Sequence, residues 1–121
     1  MSNNTAERNG GGIYLHWSEV NCLANCVCNI TGNVAPFNGG GVQALASTID
    51  IYSGAVIYVS SNTAAKGGGI LLEKNARITI TKTAPNLETN VFDGILFFMS
   101  NVAVYGGGLY IYLMRQALPV T

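Results

Sequence analysis

Short β-branched and aromatic runs punctuate the chain: Ile49-Asp-Ile-Tyr, Ala55-Val-Ile-Tyr-Val, Arg77-Ile-Thr-Ile-Thr and Ile95-Leu-Phe-Phe-Met. Each is too brief for a helix and partly alternates apolar with polar positions, which predicts strands. Glycine triplets separate them: Gly10, Gly11 and Gly12; Gly39, Gly40 and Gly41; Gly67, Gly68 and Gly69; Gly106, Gly107 and Gly108. Three glycines in a row would cost a helix about 1 kcal/mol each, whereas a turning strand can use their freedom, including φ > 0.

The triplets belong to a longer block that begins at Asn4, Asn33, Asn62 and Asn101. Those asparagines stand 29, 29 and 39 residues apart, so the third unit carries an insertion, placed at 82–90 around Pro85. A period near 29 also suits ankyrin and leucine-rich repeats, but the strand-like runs exclude the first and no Leu-x-x-Leu-x-Leu frame supports the second. The expected fold is all-β: a right-handed parallel β-helix of about four coils with three short strands per coil, residues 1–121 forming one segment. One strand leaves each triplet, at 12–16, 41–45, 69–73 and 108–112. Another ends at Ile30, Val59 and Phe98, each three residues before a block asparagine, with Met1 in the same relation to Asn4.

Stacking coils about 4.8 Å apart places like residues over like. Ile13, Val42, Ile70 and Leu109 should form one internal stack, and Ile30, Val59 and Phe98 another. Ala6, Ala35, Ala64 and Ala103 predict an inward turn with room for a methyl group. Asn4, Asn33, Asn62 and Asn101 should form a ladder, because a carboxamide both donates and accepts and can pass a hydrogen bond along the axis. Aspartates there would set like charges one strand spacing apart.

Composition narrows the class. Apolar residues make up 49% of the chain and charged residues 10%, against roughly 25% charged in an ordinary soluble domain. Asn, Ser, Thr and Gly must supply the polar surface, as is usual for secreted β-solenoids. With six basic and six acidic residues there is no basic stripe for a phosphate backbone, so nucleic acid is not an expected partner. No run is apolar and long enough for a membrane helix. Ser2, Asn3, Asn4 and Thr5 after Met1 do not read as a signal peptide, and the first residues already fall inside a repeat, so an excerpt of a longer solenoid is expected.

The frame of an apolar residue, x-x-Asn, then Gly-Gly-small-(Ile/Leu/Val) resembles the repeats of chlamydial polymorphic membrane proteins and related β-helices of the pectin-lyase-like superfamily. Of the hallmark Phe-x-x-Asn and Gly-Gly-Ala-Ile motifs, Phe98 to Asn101 keeps the Phe, and Gly12, Gly41, Gly69 and Gly108 occupy the small position. The resemblance implies a surface or secreted passenger, often adhesive, within a longer protein.

Candidate chemistry is sparse. A polysaccharide lyase or glycosidase needs clustered carboxylates, and Glu7, Glu19, Asp50, Glu73, Glu88 and Asp93 share no short motif apart from the last two, beside the insertion. Glu73, Lys74 and Arg77 read as a solvated turn. Cys22, Cys26 and Cys28 form a C-x3-C-x-C cluster and His16 is the single histidine. Zinc wants paired clusters, so these are expected to be buried thiols, Cys26 and Cys28 on one side of a strand with Cys22 joining them; a disulfide would leave one odd thiol. No metal or cofactor is expected. Asn3 and Asn29 open sequons that would carry glycans in a eukaryotic secretory pathway. An ice-binding array would need Thr-x-Thr in every coil. Thr79, Thr81 and Thr83 supply it once, and the corresponding stretch of the second coil reads Ser47, Thr48 and Ile49.

The leading expectation is an extracellular or cell-surface β-helix segment, structural or adhesive, that presents its repeat surface and the inserted loop to a protein or glycan partner. The alternative is a remnant of a carbohydrate-active enzyme. Unpaired strand rows at both ends predict stacking on further coils or self-association.

Overall fold

The computed structural model describes residues 1–80 and 94–112. The described residues contain strands and no helix. The first coil holds β1 (Ile13–His16), β2 (Glu19–Cys22) and β3 (Val27–Thr31), and the second β4 (Val42–Leu45), β5 (Thr48–Ile51) and β6 (Val56–Ser60). The third holds β7 (Ile70–Glu73), β8 (Arg77–Ile80) and β9 (Ile95–Met99), and β10 (Leu109–Tyr112) opens a fourth.

All pairings between coils are parallel, and they sort into three sheets ordered β1-β4-β7-β10, β2-β5-β8 and β3-β6-β9. This is a parallel β-helix with three strands per coil. Parallel strands cannot be joined by a hairpin. Here each strand reaches its partner only after the chain has travelled through the other two sheets.

Register follows the block frame. Ile13 lies over Val42, Ile70 and Leu109, and Ile30 over Val59 and Phe98. Alternation within the strands sends one face inward: in β6, Ile57 and Val59 are buried while Tyr58 is exposed. The inward residues of all three sheets, including Leu15, Val42, Ile49, Ile51, Ile57, Val59, Ile70 and Leu72, pack as one apolar cluster. No coil could bury such a face alone; stacking supplies the second wall. The sheet that contains β4 departs from simple alternation, because Gln43, Leu45 and Leu71 are buried as well as their inward-facing neighbours.

Corners are made with left-handed backbone at repeated places. The residue before each block asparagine has φ > 0 in all coils: Asn3 (55°), Gly32 (65°), Ser61 (53°) and Ser100 (55°). The first glycine of each triplet does the same, for example Gly39 at 62°. After β1, β4 and β7 the corner residues Trp17, Ala46 and Lys74 turn with φ of 53°, 47° and 52°.

The inserted segment predicted at 82–90, with Glu88 in it and Asp93 beyond it, lies outside the described residues, as does Thr81. Two expectations are corrected. Thr79 pairs with Asp50, and Arg77 rather than Thr79 faces Thr48; at this register Thr79 falls beyond the Ser47 to Ile49 stretch expected to correspond to it. The cysteines do not share one buried side: Cys22 is buried, Cys28 half-buried and Cys26 exposed, because Cys26 precedes β3 at a corner.

Candidate functional site

The block asparagines form one column at the corner where β3, β6 and β9 hand over to the glycine triplets. The Asn33 Nδ2 donates to Asn62 Oδ1 at 3.0 Å, and the Asn62 Nδ2 donates to Asn101 Oδ1 at 3.1 Å. Asn4 Nδ2 makes the same bond to Asn33 Oδ1 at 3.0 Å. Each acceptor oxygen also takes the backbone N–H of the asparagine one coil earlier, at 3.0, 2.9 and 3.0 Å. The second proton of each Nδ2 goes to a main-chain carbonyl of the preceding coil: Asn33 to Met1, Asn62 to Ile30 and Asn101 to Val59.

The two inner amides therefore make four bonds each, which is their full capacity. Asn33 and Asn62 are wholly buried, where an unmade bond would cost about 1–3 kcal/mol. An aspartate could keep the accepting half of this pattern and would turn an anion towards two oxygens in the donating half. The column accordingly demands a group that donates on one side and accepts on the other.

The triplets sit beside it and bring the coils close. A Cβ on Gly41 would lie 2.5 Å from the Gly69 carbonyl oxygen and 3.1 Å from Asn62 Nδ2, and one on Gly12 2.7 Å from the Gly41 oxygen. The second and third glycines are thus required by proximity between coils, and the first by its backbone angle. At Gly108 the constraint fades: among the described residues a Cβ there meets nothing nearer than Phe98 side-chain atoms at 3.3 Å. Ala35 and Ala64 are buried at the same corner, while Ala6 and Ala103 are half-buried. This side of the molecule holds the coils together, with the inner ladder amides fully bonded.

The outward face of β3, β6 and β9 is different. Val27, Val56 and Ile95 are in register there, as are Asn29, Tyr58 and Phe97, then Thr31, Ser60 and Met99. The Tyr58 and Phe97 rings stack at 5.3 Å between centroids with 7° between planes. Both rings remain exposed, together with Val27, Ile95 and Met99. Sequence reading missed this pair: the 39-residue spacing that sets Phe98 over Val59 also sets Phe97 over Tyr58, but it does not show that this face stays uncovered.

Asn29 of the second sequon is exposed on the same face, next to Tyr58; Asn3 of the first is exposed at a corner, over Gly32. Residues 1–16 match the Chlamydia polymorphic membrane protein repeat. That stretch contains Asn4, the first triplet and β1, and the later coils restate it in space. No curated protein and no solved structure matches the chain.

Elsewhere polar groups are scattered. Glu7 and Glu19 are exposed, Asp50 projects from β5 opposite Asn21 and Thr79, and Glu73 ends β7. Glu73 Oε2 accepts from the buried Gln43 Nε2 at 2.6 Å, and Gln43 Oε1 has no partner among the described residues. His16 lies beside the exposed Trp17 ring at 6.2 Å. Among the described residues no three of histidine, cysteine, aspartate and glutamate come together as a metal site. Cys22 and Cys28 do meet, with their sulfurs 2.9 Å apart.

Proposed function

We propose that this chain is a surface-displayed β-helix scaffold that binds a protein or glycan partner through the outward face of β3, β6 and β9. The observation that carries the reading is the stacked, exposed Tyr58–Phe97 pair set among Val27, Ile95 and Met99. Exposed apolar groups scattered singly need no explanation, but a contiguous patch on a sheet marks a contact surface. Flat aromatic rings offer a partner large contact area with little loss of side-chain freedom.

The match of residues 1–16 to a membrane-protein repeat supports display at a cell surface. The dispersal of Glu7, Glu19, Asp50 and Glu73 supports a scaffold over a carbohydrate-active enzyme, which would need its carboxylates in one groove. The Asn and Gly corner holds the coils, and the aromatic face is left free to meet the partner.

The test is adhesion of beads coated with the chain to epithelial cells and to a glycan array, alongside a Tyr58→Ser, Phe97→Ser double variant. Both rings are exposed, so the variant should fold, and its far-ultraviolet circular dichroism checks that it does. The expected result is binding by the parent and at least about a tenfold loss in the variant, since one lost aromatic hot spot exceeds 1.4 kcal/mol. Absence of binding by the parent, or equal binding by a folded variant, overturns the reading.

A further inference from the structure

We propose that Cys22 and Cys28 form an intrachain disulfide that closes the corner between β2 and β3 of the first coil, leaving Cys26 as a free surface thiol. The sulfurs are 2.9 Å apart, so reaching bonding distance takes an approach of less than about 1 Å. Their positions are also singular. Cys22 is in register with Ile51 and Cys28 with Ile57, and in the next coil those places pass to Ile80 and Leu96. In the second coil Ile51 and Ile57 are both buried in the core at this inner corner. The first coil has a thiol on each side of it, facing the other.

Cys26 is excluded as the partner by where it points. The Cys22 sulfur meets the Cys26 main-chain carbonyl, at 3.8 Å, while the Cys26 residue is exposed. The three cysteines therefore divide into a facing pair and one outlier, which resolves an ambiguity that spacing leaves open.

The reaction needs a disulfide as oxidant, such as glutathione disulfide or the oxidised form of a thiol–disulfide oxidoreductase. The Cys28 thiolate attacks one sulfur of that reagent, forming a mixed disulfide and releasing one thiolate. Cys22 then loses its proton and attacks the Cys28 sulfur, expelling the second thiolate. Two protein thiols give up two electrons and two protons, and one disulfide becomes two thiols. The order follows from access. Cys28 is half-buried and lines a cavity of about 330 Å³ together with Met1, Val20 and Val27. Cys22 is buried, and burial, followed by the hydrogen bond with Cys28 and the charges of Cys28 and Cys26, pushes its thiol up to about 12. It is a poor first attacker and acts once a neighbouring mixed disulfide is held against it.

The test uses the full chain, reduced and then incubated with an excess of glutathione disulfide. It is quenched in acid, alkylated in denaturant and cut with chymotrypsin after Leu23, which separates Cys22 from Cys26 and Cys28. The expected result is that the Cys22 and Cys28 peptides are joined and lighter by two hydrogens, while Cys26, identified by fragmentation, carries either the alkyl group or one glutathione. A Cys26→Ser variant should lose all alkylation under the same treatment. Three alkylated cysteines after oxidation, a link that includes Cys26, a Cys26→Ser chain that stays fully alkylated, or links between chains in place of the internal one would each overturn the proposal.

Discussion

Two corners of the same coils are built by opposite rules. At the first, between β3, β6 or β9 and the glycine triplet, the residues are nearly identical from coil to coil, and both side chains and backbone touch the coil above. At the second, after β1, β4 and β7, the chain turns equally sharply with Trp17, Ala46 and Lys74, three unrelated residues of positive φ, and in the third coil it accepts an extra residue. Turning alone does not require repetition. Repetition appears where a side-chain amide must bond its copy one coil away and where the coils approach too closely for any Cβ.

The contrast can be broken most severely at the buried ladder. Asn62→Asp is expected to destabilise the fold by at least about 4 kcal/mol, since it buries a charge and removes two donated bonds. Urea unfolding at neutral pH would show it, and Asn4→Asp, at an exposed end of the column, should cost less than half as much. Next comes Gly41→Ala, expected at about 3 kcal/mol because its methyl group meets main chain that cannot withdraw, against less than about 1 kcal/mol for Gly108→Ala. Equal losses in thermal melts would show that crowding between coils is not what fixes these glycines.

A third corner, between β2 and β3, gives a smaller and pH-dependent effect. The folded state holds the Cys22 proton up to about 12, whereas the unfolded chain releases it near 9.0. In that interval the unfolded state binds fewer protons, so stability is complete below about 9 and falls as pH rises towards 12. Reduced protein should lose denaturant midpoint across that window, and Cys22→Ala should flatten the loss. The smallest effect, of opposite sign, is expected at the second corner. Lys74→Gly relieves a left-handed lysine and should stabilise by about 0.5 kcal/mol, whereas loss of stability there would mean that the lysine makes contacts beyond its backbone.

Much of this architecture could be read from the residues. The block spacing placed the strands after the triplets and set Ile13 over Val42 and Ile30 over Val59, because a strictly periodic contact leaves a strictly periodic sequence. What escaped reading is what the spacing does not encode. The offset that sets Phe98 over Val59 also sets Phe97 over Tyr58, but it does not say that this face stays uncovered or that the two rings stack. The separation of Cys26 from Cys22 and Cys28 depends on a corner whose position three cysteines alone do not reveal. The second bond of each ladder amide, to a main-chain carbonyl one coil back, has no signature in residue type at all.

Hydrogen exchange of side-chain amides, followed by nitrogen-15 NMR, tests the ladder most directly. If Asn33 and Asn62 each donate both Nδ2 protons inside the stack, those protons should exchange only with global unfolding, orders of magnitude more slowly than the Nδ2 protons of the exposed Asn21. Exchange of Asn33 and Asn62 at the rate of Asn21 would contradict the account.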